Sequence, residues 1–193
     1  MHRVAAAGQP LYMNKLYDTI AFRRKLSDFP QWTDMLARHR KQNLFADGNL
    51  ISPGVTWKTL KKQCAGLGLM GMMKRVNALW NRKRYVSDQR NFRVKDYWQT
   101  PDQFSRLGGD CEDYAIAKML TLQELGVENP MRLLMVKRKG ADHCVLAVDD
   151  GDRTWILDNV SDAIAEHRDY DCRLVASLGD EGAFSYVTGT AIA

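Results

Sequence analysis

With 193 residues, 45% of them hydrophobic and 26% charged, the chain is long enough to bury the core of one domain. No apolar run approaches the ~18 residues of a membrane-crossing helix, so no membrane span is expected. The net charge of +5 is divided among short basic clusters, Arg23 to Lys25, Arg38 to Lys41, Arg82 to Arg84 and Lys137 to Lys139, a distribution that argues against a dedicated nucleic-acid binder.

The opening MHRVAAAGQP lacks the apolar segment of a secretory signal. It reads as the start of a cytosolic chain or as what remains after a leader, with Ala5 to Gly8 as a frayed terminus. Four cysteines, Cys64, Cys111, Cys144 and Cys172, show no short zinc-ligand spacing and are too few for a disulfide scaffold.

Helical patterns occupy the chain up to about residue 125, and strand patterns follow from about 130. Asp28 with Pro30 opens a helix whose Trp32, Met35 and Leu36 share one face. Ser52-Pro53 is expected to open another, carrying Trp57 and Leu60. Leu69, Met72, Val76, Leu79 and Trp80 recur at helical spacing and read as core. Thr100-Pro101 caps a short helix around Phe104. Gly108-Gly109 breaks the pattern before a helix from Cys111 to Leu125, with Ala115, Met119 and Leu122 on one side and Gly126 as its stop. Strands are expected over Met131 to Lys137, His143 to Val148 and Thr154 to Leu157, with Asp149-Asp150-Gly151-Asp152 as the turn between the last two. Helices followed by a mostly antiparallel sheet make an α+β fold.

Cys111 falls at a helix N-terminus, where unpaired N–H groups and the macrodipole favour a thiolate. The two glycines before it are expected to admit a substrate backbone, and the Cys111 N–H to join an oxyanion hole. His143 alternates with Val145 and Ala147 and is expected to reach Cys111 across the helix–sheet interface. Asp158 ends the next strand, in place to fix the histidine tautomer. Among the four histidines only His143 combines a strand with a nearby carboxylate.

The stretch Tyr85 to Gly126, with the elements GGDCEDYAIAK, VSDQ and KDYW, followed by His143 and the LDN at Leu157 to Asn159, resembles the bacterial transglutaminase-like cysteine proteinases, whose best-known members are the LapG-type periplasmic proteases. The resemblance covers roughly residues 70 to 160. It implies a papain/transglutaminase-like core and a Cys-His-Asp triad at Cys111, His143 and Asp158. Residues 1–193 then read as one domain, with a helical extension over 1–65 and the catalytic core over 66–193. The resemblance further implies a Ca²⁺ site using Asp110, Glu112 and Asp113. Read without it, these acids are ordinary first-turn residues of a helix, although their charge beside Cys111 raises the cost of its thiolate and a bound Ca²⁺ would offset that.

The activity so implied is calcium-dependent cleavage of a protein, an adhesin-like surface protein in biofilm control, by a periplasmic enzyme that an inner-membrane receptor protein sequesters. Two alternatives stand beside it. An amine in place of water would make the enzyme a transglutaminase, and loss of chemistry would leave an idle binding module.

Overall fold

Most helices form where local patterning places them, whereas the sheet recruits strands from both ends of the chain, so the extension expected to be helical over 1–65 carries strands as well. A computed structural model describes residues 10–14 and 16–188, so the Ala5 to Gly8 terminus lies outside the described residues. Strands β1 (Pro10–Asn14) and β2 (Thr19–Arg24) come first, then a 3₁₀ turn (Leu26–Asp28) and α1 (Pro30–His39). A small hairpin, β3 (Leu50–Ser52) and β4 (Val55–Thr56), leads into α2 (Trp57–Cys64), α3 (Leu69–Asn81), α4 (Asp88–Asn91), α5 (Pro101–Leu107) and α6 (Cys111–Glu124). The chain ends in β5 (Met131–Arg138), β6 (Ala141–Asp150), β7 (Arg153–Leu157), β8 (Ala165–Glu166), a 3₁₀ turn (His167–Asp169), β9 (Arg173–Gly179) and β10 (Gly182–Thr188).

Eight strands form one antiparallel sheet in the order β1-β2-β10-β9-β5-β6-β7-β8. Alternation along its strands divides the core in two. Leu133, Cys144, Leu146, Val148 and Leu157 pack with the helices, while Leu134, Val136, Val145, Ala147 and Ile156 face the other way, under Leu16 and Tyr170. Helix α6 is buried nearly all round from Asp113 to Leu122, between β5 and β6 on one side and α3 and α5 on the other. That explains its weak amphipathic pattern. Trp80 Nε1 donates to Thr121 Oγ1 at 2.9 Å, tying α3 to α6. Gly126, at φ +85°, ends α6 in the left-handed region that glycine tolerates.

Three local expectations change. Ser52-Pro53 does not open a helix but leads into the β3–β4 turn at Gly54, and α2 begins at Trp57. There Thr56 Oγ1 accepts from the Thr59 N–H at 3.1 Å. The Asp149 to Asp152 turn is tighter than the sequence suggests, because Asp150 and Arg153 pair and leave only Gly151 and Asp152 at the tip. Strand β6 likewise begins before His143. Lys139 and Gly140, both at positive φ, make a two-residue hairpin that pairs Arg138 with Ala141.

Candidate active site

The N-terminus of α6 and the hairpin end of β6 meet at a cleft of about 280 Å³. Its walls include Cys111, Glu112, Trp98, Val136, His143 and Cys144. His143 and Cys144 are neighbours on one strand and would ordinarily face opposite sides of the sheet. Both reach the cleft because it lies at the end of the strand rather than within the helix–sheet interface. The register of β5 on β9 shifts between Met135 and Val136 just there, and a bulge of this kind increases local twist.

The His143 ring is held by a carboxylate. Its Nε2 lies 2.8 Å from Asp158 Oδ1, which also accepts from the Val160 N–H at 3.2 Å, while Oδ2 accepts from the Tyr170 hydroxyl at 2.7 Å. Burial pushes the Asp158 carboxyl up, but the hydrogen bonds from His143, Tyr170 and the Val160 N–H outweigh it and hold it down to about 2. Asp158 is therefore an anion throughout the neutral range.

Cys111 is half-buried, with Sγ 3.3 Å from Glu112 Oε2. Burial and the Glu112 carboxylate push its thiol up, against the Cys144 backbone N–H, which favours the thiolate. The helix N-terminus alone does not activate this cysteine, because its acidic neighbours oppose it. The other three cysteines are also free, and none of the four is in a disulfide.

The acids around Cys111 part company. Glu112 and Asp110 converge with Asp88 of α4, so that one carboxylate oxygen from each lies within 4.8 Å of the others. Asp88 Oδ1 and Asp110 Oδ1 are buried without a hydrogen-bond partner. Three converging carboxylates, two of them with an orphaned oxygen, suit a hard cation such as Ca²⁺, which takes carboxylate ligands in flexible geometry. Asp113, expected on the sequence at that site, is not brought to it. Fully buried, it spends Oδ1 on the Gln99 N–H at 2.7 Å and Oδ2 on Gln99 Nε2 at 2.7 Å and the Asp110 N–H at 3.2 Å. The spacing of three from Asp110 is that of a capping box, the signal that separates Asp113 from its neighbours.

Close packing within the chain itself requires both glycines before Cys111. A Cβ on Gly109 would strike the Asp113 carboxylate and the Gln99 amide, and one on Gly108, at φ +72°, would strike the Arg84 carbonyl. Three residues of the site carry no sign of their role in the pattern of hydrophobicity: Gln99, Tyr170 and Asp88. Of these, Asp88 stands in the VSDQ element that carries the family resemblance.

The model of a family described as bacterial transglutaminase-like cysteine proteinases matches residues 58–187. The chain belongs to that family. It is a transglutaminase-like cysteine protease, and its mixed helices and antiparallel sheet are the fold of that group. Among solved structures it is similar to Legionella pneumophila LapG, at 28% identity and a TM-score of 0.58 over 67% of this chain and 75% of that one. The same Legionella pneumophila protein in its calcium-bound form aligns at 24% identity and a TM-score of 0.60, over 79% and 86% of the two chains. Its EGTA-treated form aligns at 25% and 0.58, over 70% and 80%. No curated protein matches the chain.

Proposed function

We propose that this protease is a calcium-dependent endopeptidase whose triad is Cys111, His143 and Asp158. The observation that carries the reading is the pairing of His143 with Asp158 at the wall of the cleft that holds the Cys111 thiol. With Nε2 committed to Asp158, the second ring nitrogen, Nδ1, is left to take the thiol proton. Sγ then attacks the peptide carbonyl carbon, and the oxyanion accepts a hydrogen bond from the Cys111 N–H at the start of α6. Collapse breaks the C–N bond, and the leaving amine takes the proton from His143. Water, deprotonated by His143, attacks the thioester, and the carboxylic product leaves with the thiol restored.

Asp88, Asp110 and Glu112 are the ligand set we assign to Ca²⁺. The support is their convergence and the orphaned oxygens of Asp88 and Asp110, together with the calcium-bound form of the similar Legionella protein. When bound, the ion would supply positive charge that offsets the carboxylates opposing the Cys111 thiolate. The substrate is a protein, and by resemblance to LapG-type enzymes a large surface adhesin, cut in the periplasm under the control of an inner-membrane receptor. Mass spectrometry of surface and released proteins from cells carrying the wild type or the Cys111→Ala variant tests this. A large adhesin shed only with the wild type is the expected result, and identical profiles would overturn the reading.

A further inference from the structure

Asp158 is restrained beyond what one hydrogen bond to a histidine requires. A carboxylate is attached through a soft, roughly two-fold torsion, so a single bond to the ring would let it rotate and exchange its oxygens. Here each oxygen is committed. Oδ1 holds His143 Nε2 and the Val160 N–H, and Oδ2 holds the Tyr170 hydroxyl. The Asp158 backbone is fixed as well, since its carbonyl accepts from Asn81 Nδ2 of α3 at 3.1 Å. Tyr170 follows the 3₁₀ turn His167–Asp169 and is buried against the sheet face that carries Val136 and Val145. Its ring is braced by the Arg138 guanidinium, 4.8 Å from the ring centre. Tyr170 is not among the residues that line the cleft of Cys111.

We infer that Tyr170 is a positioning residue of the active site, fixing the plane of the Asp158 carboxylate and through it the tautomer and orientation of the His143 ring. Burial, the hydrogen bond to Asp158 and the Asp158 charge raise the phenol well above its usual range, so it is an O–H donor at neutral pH. The hydroxyl bonds to Asp158 and lies outside the lining of the Cys111 cleft, so its effect passes through Asp158. The inference rests on the triad reading above.

The test is Tyr170→Phe in the full chain, which keeps the ring and its packing and removes only the donor. We expect kcat to fall about 10- to 100-fold, a loss of roughly 1.4 to 2.7 kcal/mol, with KM unchanged because the cleft walls are untouched. In an Asp158→Ala background the same change should cost nothing further, since its route of action is already gone. The ¹⁵N spectrum of His143 gives a readout independent of turnover: Nε2 should carry the proton in the wild type and lose that preference in Tyr170→Phe. A wild-type kcat and an unaltered His143 spectrum in Tyr170→Phe would overturn the inference, as would an equal loss in both backgrounds. Failure of the underlying triad would look different, with Cys111→Ala still active or wild-type Nε2 unprotonated.

Discussion

Gln99 grips Asp113 at both carboxylate oxygens, its backbone N–H on Oδ1 and its side-chain Nε2 on Oδ2, each at 2.7 Å. The same Nε2 donates to the Gly108 carbonyl at 2.9 Å, so the amide cannot flip without losing a second bond. In Asp113→Asn a donor must face a donor whichever way the new amide turns. The loss should be about 2–3 kcal/mol, a fall of roughly 4–12 °C in Tm, with calcium affinity largely retained. Calorimetry decides it: unchanged Tm with calcium binding gone would return Asp113 to the metal site.

The nucleophile and base are tested by Cys111→Ala and His143→Ala. Each should reduce turnover at least ~10³-fold, as removal of a member of such a unit does, while Tm stays close to that of the wild type. Alanine is a good helix former at the start of α6, and His143 stands only half-buried at the end of β6. Turnover within tenfold of wild type in either variant would remove that residue from the triad.

Much of this site was legible because its signals are local. Cys111 after paired glycines, Thr100-Pro101 as a cap, and His143 on an alternating strand each depend on neighbours within a few positions, and Thr100 does cap α5, with Gln103 closing the box. What escaped depends on distant pairing or on direction. Strand β2 is held by β10, with Thr19 opposite Thr188, a partnership that no window along the chain contains. Asp110, Glu112 and Asp113 look equivalent in the sequence, but a helix turns about 100° per residue. Asp113 therefore points back at its own N-terminus, and Asp88, from a separate helix, stands beside the other two.

Lys118 makes a prediction about pH. It is fully buried on α6, its Nζ has no hydrogen-bond partner among the described residues, and the Tyr114 ring centre lies 5.8 Å away. Burial pulls the ammonium down to about 7, against the opposing charges of Asp158 and Asp162. The unfolded lysine keeps its proton to ~10.4. Between these values the unfolded state binds more protons, so this group makes the native state more stable as pH rises from about 7 towards 10, and its cost is greatest below 7. Lys118→Met, which fills similar volume without charge, should raise Tm by several degrees at pH 6 and flatten the rise towards pH 10. Parallel Tm–pH curves for the two proteins would show that the buried amine is not charged at a cost.

Calcium makes the last prediction, and it turns on the thiol as much as on the fold. Glu112 Oε2 stands 3.3 Å from Cys111 Sγ, and with Asp110 and Asp88 it forms a cluster with orphaned oxygens. Burial, and after it the Glu112 and Asp110 carboxylates, push the Cys111 thiol up. A divalent ion among them would reverse the local field and release the nucleophile. Three observables should then move together. EGTA should stop cleavage and Ca²⁺ restore it, Mg²⁺ should restore it poorly because it demands stricter octahedral geometry, and Ca²⁺ should raise Tm by linkage to the native state. Iodoacetamide should label Cys111 faster with Ca²⁺ than with EGTA, while the buried Cys64 and Cys144 stay slow in both. Asp88→Asn should weaken all three responses, since it removes a proposed carboxylate ligand that lies outside α6 and leaves the Asp113 clamp intact. If Asp88→Asn bound calcium as the wild type does, the ion would sit elsewhere. If Cys111 labelled equally fast in EGTA, the acids would not be what restrains the thiol.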